Sequence, residues 1–305
     1  MRRAFSDSLV RLAGQDDRLI FLTGDLGFQV FDEFCEKFPG RYVNVGVAEA
    51  QLVDCAAGLA LEGWRPVVYS IASFMTGRAF EQIRVTVSYQ NLPVMIVGVG
   101  GGYLYGDSGV THHAKEDLGL MSLLPNMTVT APGDPDEINQ LMPQLLKLDG
   151  PSYIRIGRFD EPRYETPSPV IVGKARLLRE GERVAVVTTG AEAARAVEAW
   201  DVLSSERIAP SVYQFHTVRP LDTKTLDSLA REVETLIVVE EHAVTGGLRA
   251  SVNSWCAGRD ETLKVIGLGP DDGLALGNPS QEELRERYSY NSKSIVEACR
   301  VNWGQ

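Results

Sequence analysis

The sequence predicts an α/β protein of two doubly wound sheet domains, and three observations carry that expectation. Short runs rich in Val and Ile alternate with helical patterns from end to end, as they do in α/β units around a mainly parallel sheet. At 305 residues the chain has the length of two domains. Midway, the polar and proline-rich stretch Arg158 to Pro169 breaks the alternation without a period of its own. We therefore expect a first domain over 1–160, a linker over 161–172 and a second domain over 173–305.

Each element follows from a local pattern. The opening Met1-Arg2-Arg3-Ala4-Phe5-Ser6-Asp7 places Ser and Asp where a signal peptide needs an apolar core, so it reads as a helix of the mature protein. Strands are expected at Leu19 to Thr23, Tyr42 to Val45, Pro66 to Ser70, Val94 to Val99, Met127 to Ala131 and Ser152 to Ile156. The segment from Glu49 to Leu61 is apolar nearly all round and stops near Gly63, which is the pattern of a helix buried on most sides. Arg78 to Tyr89 puts Phe80, Ile83 and Val87 on one helical face. Asp134-Pro135-Asp136-Glu137 is a helix start, with a capping Asp, a first-turn Pro and acids near the positive end of the dipole. Beyond the linker, strands at Arg183 to Thr188, Ser211 to Phe215, Thr235 to Val239 and Leu263 to Gly267 alternate with helices. Those helices are Glu192 to Leu203, one from Asp222, Gly247 to Trp255, and Ser292 to Val301.

Composition narrows the function. Hydrophobic residues at 44% and charged residues at 23% are ordinary for a folded globular chain. The formal charge of -11 repels nucleic-acid backbones and anionic lipid surfaces, so neither nucleic acid nor membrane is expected as a partner. The longest nearly apolar stretch, Leu92 to Leu104, is glycine-rich and far short of the roughly 20 residues that span a bilayer, which points to a cytoplasmic protein. Cys35, Cys55, Cys256 and Cys299 show no CxxC spacing and no nearby His, and read as reduced structural thiols.

Three local features could carry chemistry. The glycine cluster Gly98, Gly100, Gly101, Gly102, Gly106 and Gly109 fits neither the dinucleotide fingerprint nor the P-loop. It follows a strand, however, and ligands of α/β folds bind at such loops. Its continuation, Tyr105-Gly106-Asp107-Ser108-Gly109-Val110-Thr111-His112-His113, carries two adjacent histidines. Neighbours in sequence cannot share a face, so one catalytic imidazole is favoured over a metal pair. In Asn44-Val45-Gly46-Val47-Ala48-Glu49, an acid stands where an apolar strand meets a buried helix. It is either a buried carboxyl with a raised pKa, able to donate a hydrogen bond, or an exposed acid complementing the dipole. Ser73 to Arg84 adds Phe74 and Phe80, which fit either a core or a pocket for a ring.

In this order the three features resemble the transketolase family, specifically the C-terminal section of an enzyme divided over two polypeptides. The resemblance covers essentially the whole chain, as a pyrimidine-binding domain followed by a transketolase C-terminal domain. Leu124-Pro125-Asn126-Met127, Pro132-Gly133-Asp134, Thr217-Val218-Arg219-Pro220-Leu221-Asp222 and Val239-Glu240-Glu241-His242 add to it. The resemblance implies thiamin diphosphate as cofactor, with Glu49 on N1′ of its aminopyrimidine and Phe74 and Phe80 around that ring. Asp25 and Leu26, in Gly24-Asp25-Leu26-Gly27, match the loop that wedges the cofactor into its bent shape. His112 would bond substrate oxygens as a ketose bond breaks. No Gly-Asp-Gly occurs in the chain, so the Mg²⁺ ligands and diphosphate site are expected on an N-terminal-section partner, in an α2β2 heterotetramer with β-β contacts. The second-domain histidines His216 and His242 are expected to be structural.

Departures from the family pattern bear on the substrate. Ser108, with Asp107 beside it, stands where the family has an Asp that reads a substrate hydroxyl. Gly100 stands in place of a His, and Gln29 in place of a Ser, that hold a sugar phosphate. Arg158 is kept and would meet the distal anionic group of a small sugar. The acceptor or donor is thus expected not to be a standard pentose phosphate, with Arg158 meeting a carboxylate, a sulfonate or a differently placed phosphate. A 2-oxoacid dehydrogenase β subunit, half of a deoxyxylulose-phosphate synthase, and a non-catalytic regulatory subunit are the competing readings.

Overall fold

The computed structural model describes residues 1–158, 161–166, 168–259 and 263–304. Phe159, Asp160 and Pro167 of the proline-rich stretch Arg158 to Pro169 lie outside the described residues. Twelve strands are found among the described residues. In the first half they are β1 (Leu19–Thr23), β2 (Tyr42–Asn44), β3 (Arg65–Ile71), β4 (Met95–Val99), β5 (Thr128–Thr130) and β6 (Ser152–Ile156). The second half contributes β7 (Arg176–Arg179), β8 (Arg183–Thr188), β9 (Ser211–Gln214), β10 (Thr217–Arg219), β11 (Val233–Val239) and β12 (Lys264–Leu268).

The strands form two sheets. The seven-stranded sheet has the order β10-β5-β6-β4-β3-β1-β2, parallel except for β10. The five-stranded sheet has the order β12-β11-β8-β9-β7, parallel except for β7. A parallel sheet needs helices on both faces, which is why its strands read as unbroken apolar runs. On one face Phe5 and Leu9 of the helix Arg2–Ala13 join Ile138 and Leu141 of the helix Pro135–Leu145 against Phe21, Tyr69 and Val97. On the other, Leu52, Val53 and Ala56 of the helix Glu49–Leu61 pack with Met75 and Val87 against Leu22, Val68 and Ile96. Asp134 caps its helix as its sequence position predicts, accepting from Glu137 N.

Several elements differ from expectation. The segment 78–89 is not one α-helix: an α-helix, Ala72–Arg78, ends at Ala79, and Ile83–Ser88 winds as a π-helix. The edge strands β7 and β10 have no counterpart among the expected strands, because three or four residues are too few to show a period. The stretch after Arg158 is anchored on both sides. Glu161 holds the Met1 amine at 2.6 Å, Tyr164 is buried in the second core, Thr166 Oγ1 donates to the Leu177 carbonyl at 2.7 Å, and Val170 is buried in the first.

A buried network joins the two halves. Arg155 of β6 donates from Nε to Asp117 Oδ2 at 2.9 Å and from Nη1 to the Glu241 carbonyl at 3.1 Å. The Gly119 N–H donates to His242 Nε2 at 3.0 Å, so the ring proton sits on Nδ1 and points at the Ala243 carbonyl, 2.9 Å away. His216 is buried beside β10, with Nδ1 3.0 Å from Thr217 Oγ1. Burial, aided by the charge of Arg176, lowers its pKa to about 4. A folded-state value below the unfolded one means that the unfolded chain binds the proton first, so stability is lost as pH falls from about 6.5 towards 4. Urea unfolding at pH 7 and pH 5 should show that His216→Gln loses about 2 kcal/mol less than the parent over that interval. Equal losses in the two proteins would contradict this.

Candidate active site

The carboxyl ends of five neighbouring strands, β6, β4, β3, β1 and β2, deliver the site residues expected from the sequence, Phe80 excepted, to one edge of the first sheet. After β1 comes the loop of Asp25, Leu26 and Gln29; after β2, the turn into Glu49; after β3, the helix bearing Phe74; after β4, the loop to His112; after β6, Arg158. Asn44 ties the first two together. Its Oδ1 accepts from the N–H groups of Asp25 and Gly46, both at 3.0 Å, and its Nδ2 donates to Asp25 Oδ1 at 3.1 Å. Gly46 turns there at φ +75°, a conformation that side chains other than glycine rarely adopt. Leu26 is half-buried on the first core, and Gln29 is exposed in the left-handed region at φ +62°.

Glu49 is buried, at 3% exposure, which selects the buried acid over the exposed helix-start acid. Ser70 Oγ lies 3.4 Å from Oε1, and Arg78 Nη1 donates to Oε2 at 3.2 Å. Arg78 and Phe74 are four residues apart on one helix, and the guanidinium carbon lies 4.3 Å from the centre of the Phe74 ring. A flat cation thus rests on an aromatic face while bonding a buried carboxylate. Phe80 sits elsewhere: it packs on the core beneath the helix Glu49–Leu61 and lines a groove with Val85, Tyr89 and Leu123. The helix bearing Phe74 ends at Ala79, so Phe80 belongs to the next element and does not continue the Phe74 face.

His112 stands edge-on to Phe74 with ring centres 5.0 Å apart, and Tyr105 is 6.0 Å from it on another side. Thr111 Oγ1 is 3.0 Å from its Nδ1; Ser73 Oγ steadies this turn by donating to the Thr111 carbonyl at 3.2 Å. His113 turns the other way, into the core, with Nε2 3.2 Å from the Gly106 carbonyl and its ring against Tyr103. The Arg158 guanidinium carbon lies 4.7 Å from the centre of the Tyr105 ring. Asp107 and Ser108 are exposed on a single 3₁₀ turn, held from the second half by Asn278 Nδ2, which donates to the Asp107 carbonyl at 2.8 Å. Gly100, at φ +76°, has the Tyr105 ring where its own side chain would be: a Cβ would lie 2.0 Å from that ring. Tyr105 therefore fills the space that a larger residue at position 100 would need.

Glu49, Arg78, Phe74, His112, Tyr105 and Arg158 consequently form one continuous line of contacts. Arg78, Tyr105 and Asn44 are site residues that sequence reasoning misses. The four-residue spacing of Phe74 and Arg78 is a visible signal, whereas the Tyr105 contact with Gly100 has none. Among the described residues no group of three or more His, Cys, Asp or Glu stands close enough to hold a metal ion, and no helix is long and apolar enough to cross a membrane.

The fold defines a two-domain α/β subunit that carries this line of residues at the crest of its first sheet. Residues 1–161 match the pyrimidine-binding domain of transketolase, and residues 173–295 match the transketolase C-terminal domain. The chain belongs to the transketolase family, whose members use thiamin diphosphate, and it is a transferase subunit of the split kind. It is 34% identical to the 6-deoxy-6-sulfo-D-fructose transketolase subunit of Clostridium sp. (strain MSTE9), over 98% of this chain and 93% of that one. To an apulose-4-phosphate transketolase subunit of Phocaeicola vulgatus it is 31% identical, over 98% and 96%. A solved split-gene transketolase, described as an inactive β4 tetramer, superposes with a TM-score of 0.87 at 32% identity, covering 99% of this chain and 97% of that one.

Proposed function

We propose that this chain is the catalytic β-type subunit of a two-chain, cytoplasmic transketolase that moves a two-carbon ketol unit from a ketose to an aldose. The observation that carries the reading is the pairing of buried Glu49 with a flat cation stacked on Phe74. A planar nitrogenous group already occupies the carboxylate and the aromatic face together, and an aminopyrimidine has the same requirements. Glu49 would bond N1′ of the pyrimidine, Phe74 would support the ring, and the Asp25-Leu26 loop, held by Asn44, would form the adjoining wall. When bound, thiamin diphosphate supplies the carbon nucleophile that cleaves the ketose. Arg78 releases Glu49 as the ring enters. His112, fixed through Nδ1, presents Nε2 to substrate oxygens and stabilises charge there as the carbon–carbon bond breaks. Arg158 meets the distal anionic group, and Asp107 and Ser108 border the path of the substrate hydroxyls.

The diphosphate and Mg²⁺ would be held by a partner chain carrying Gly-Asp-Gly, in an α2β2 assembly whose cofactor lies between subunits. The solved relative supports this, since its β chains alone form a tetramer described as inactive. Purified alone, this chain should transfer no ketol unit with thiamin diphosphate and Mg²⁺ present, and should become active on mixing with the partner. Turnover by the single chain overturns the two-chain reading.

A further inference from the structure

We infer that the second domain sets the substrate loop: its segment 271–281 braces the loop that carries Asp107, Ser108 and His112, with Lys115 and Asn278 as positioning residues for ketol transfer. The inference rests on the proposed function for what that loop does. The loop is pinched at its base, where Gly102 and Ala114 exchange backbone hydrogen bonds of 2.9 and 2.8 Å. Within it the Gly109 N–H donates to the Gly106 carbonyl at 3.0 Å, and the His112 N–H donates to the Gly109 carbonyl at 2.9 Å. A displacement of the turn Gly106–Ser108 is therefore passed along to His112.

The second domain grips both ends of the loop. At the base, Lys115 is buried three residues past His112, and its ammonium donates to the backbone carbonyls of Asp271, at 2.7 Å, and Gly273. Taking an ammonium out of water is costly unless it is bonded, and here the second domain supplies the oxygens. Nearby, a Cβ on Gly102 would lie 2.3 Å from the Glu241 carboxylate, to which Gln281 Nε2 and the Tyr290 hydroxyl donate at 2.9 Å. At the tip, Asn278 Nδ2 donates to the Asp107 carbonyl at 2.8 Å, and a Cβ on Gly106 would lie 2.6 Å from the Pro279 carbonyl oxygen. One segment thus reaches both ends, and it is itself anchored. Ala275 is buried in the second core, and Ser280 caps the helix Gln281–Arg287 through reciprocal bonds with Glu283. Glu49 and Phe74 are carried by other elements, after β2 and β3.

The test uses the reconstituted two-chain enzyme, with fructose 6-phosphate as donor and ribose 5-phosphate as acceptor. Asn278 is exposed, so Asn278→Ala keeps the fold. It should lower kcat/KM for the ketose about fivefold, the size of one neutral hydrogen bond, and leave thiamin diphosphate affinity unchanged. Lys115→Met should lower kcat/KM by about 10–100-fold, as displacement of a positioned group does, and Lys115→Arg, which keeps the cation, should recover most of the loss. Should Lys115→Met fail to fold, Asn278→Ala alone carries the test. An unchanged kcat/KM in Asn278→Ala overturns the inference, and so does a loss matched by an equal loss of cofactor affinity. If the parent complex transfers no ketol unit, the transketolase reading fails, and hydrogen exchange of the amides of 106–112 in the same complexes decides the brace. There, exchange about fivefold faster in Asn278→Ala than in the parent supports it, and equal rates overturn it.

Discussion

Glu49→Ala should lower kcat of the two-chain enzyme by about 10²–10⁴-fold at saturating cofactor, the span typical of losing a positioned proton-transfer partner. The loss should not be a folding defect. Arg78, which Glu49 bonds, is half exposed and can return to water, while Ser70 loses a single long contact. Glu49→Gln fills the same space and keeps a hydrogen-bonding group but cannot exchange a proton, so it should resemble Ala in kcat and lie closer to the parent in cofactor affinity. Steady-state kinetics with thiamin diphosphate titrated separately resolves the two quantities. A complex that works equally well with Glu49→Ala would identify this chain as a regulatory subunit that keeps the fold without the reaction.

The second large effect is on stability. Burial works to raise the Asp117 carboxyl, but the charge and hydrogen bonds of Arg155, with the Tyr153 hydroxyl at 2.6 Å, outweigh it and hold the group below the usual carboxylate range. Arg155→Met leaves that carboxylate uncompensated in the interior and removes the bond to the Glu241 carbonyl that spans the two halves. Equilibrium unfolding should show a loss of about 3–5 kcal/mol. Arg155→Met combined with Asp117→Leu should recover most of it, since removing both charges leaves nothing unpaired. No recovery in the double variant would mean that the bonds to the second half, rather than charge burial, dominate.

What the sequence made legible was local or periodic. The buried helix beginning at Glu49, the cap at Asp134 and the central strands each declare themselves within a dozen residues. Glu49 and His112 were picked out as candidates through their motifs. What stayed hidden depends on distance along the chain. Arg78 reaches Glu49 across 29 residues, and Tyr105 matters because glycine at position 100 leaves room for its ring. The break at Ala79 was illegible for another reason: Phe80, Ile83 and Val87 satisfy a helical face whether or not the helix is continuous, so periodicity could not place Phe80 relative to Phe74.

The strand β10 has a consequence for how the molecule is made. It pairs Thr217 with Thr130 and closes the edge of the first sheet. During synthesis at roughly 5–20 residues per second, β5 waits about 4–17 s for that partner. Through that interval the nascent sheet presents an open edge able to pair with a neighbouring chain.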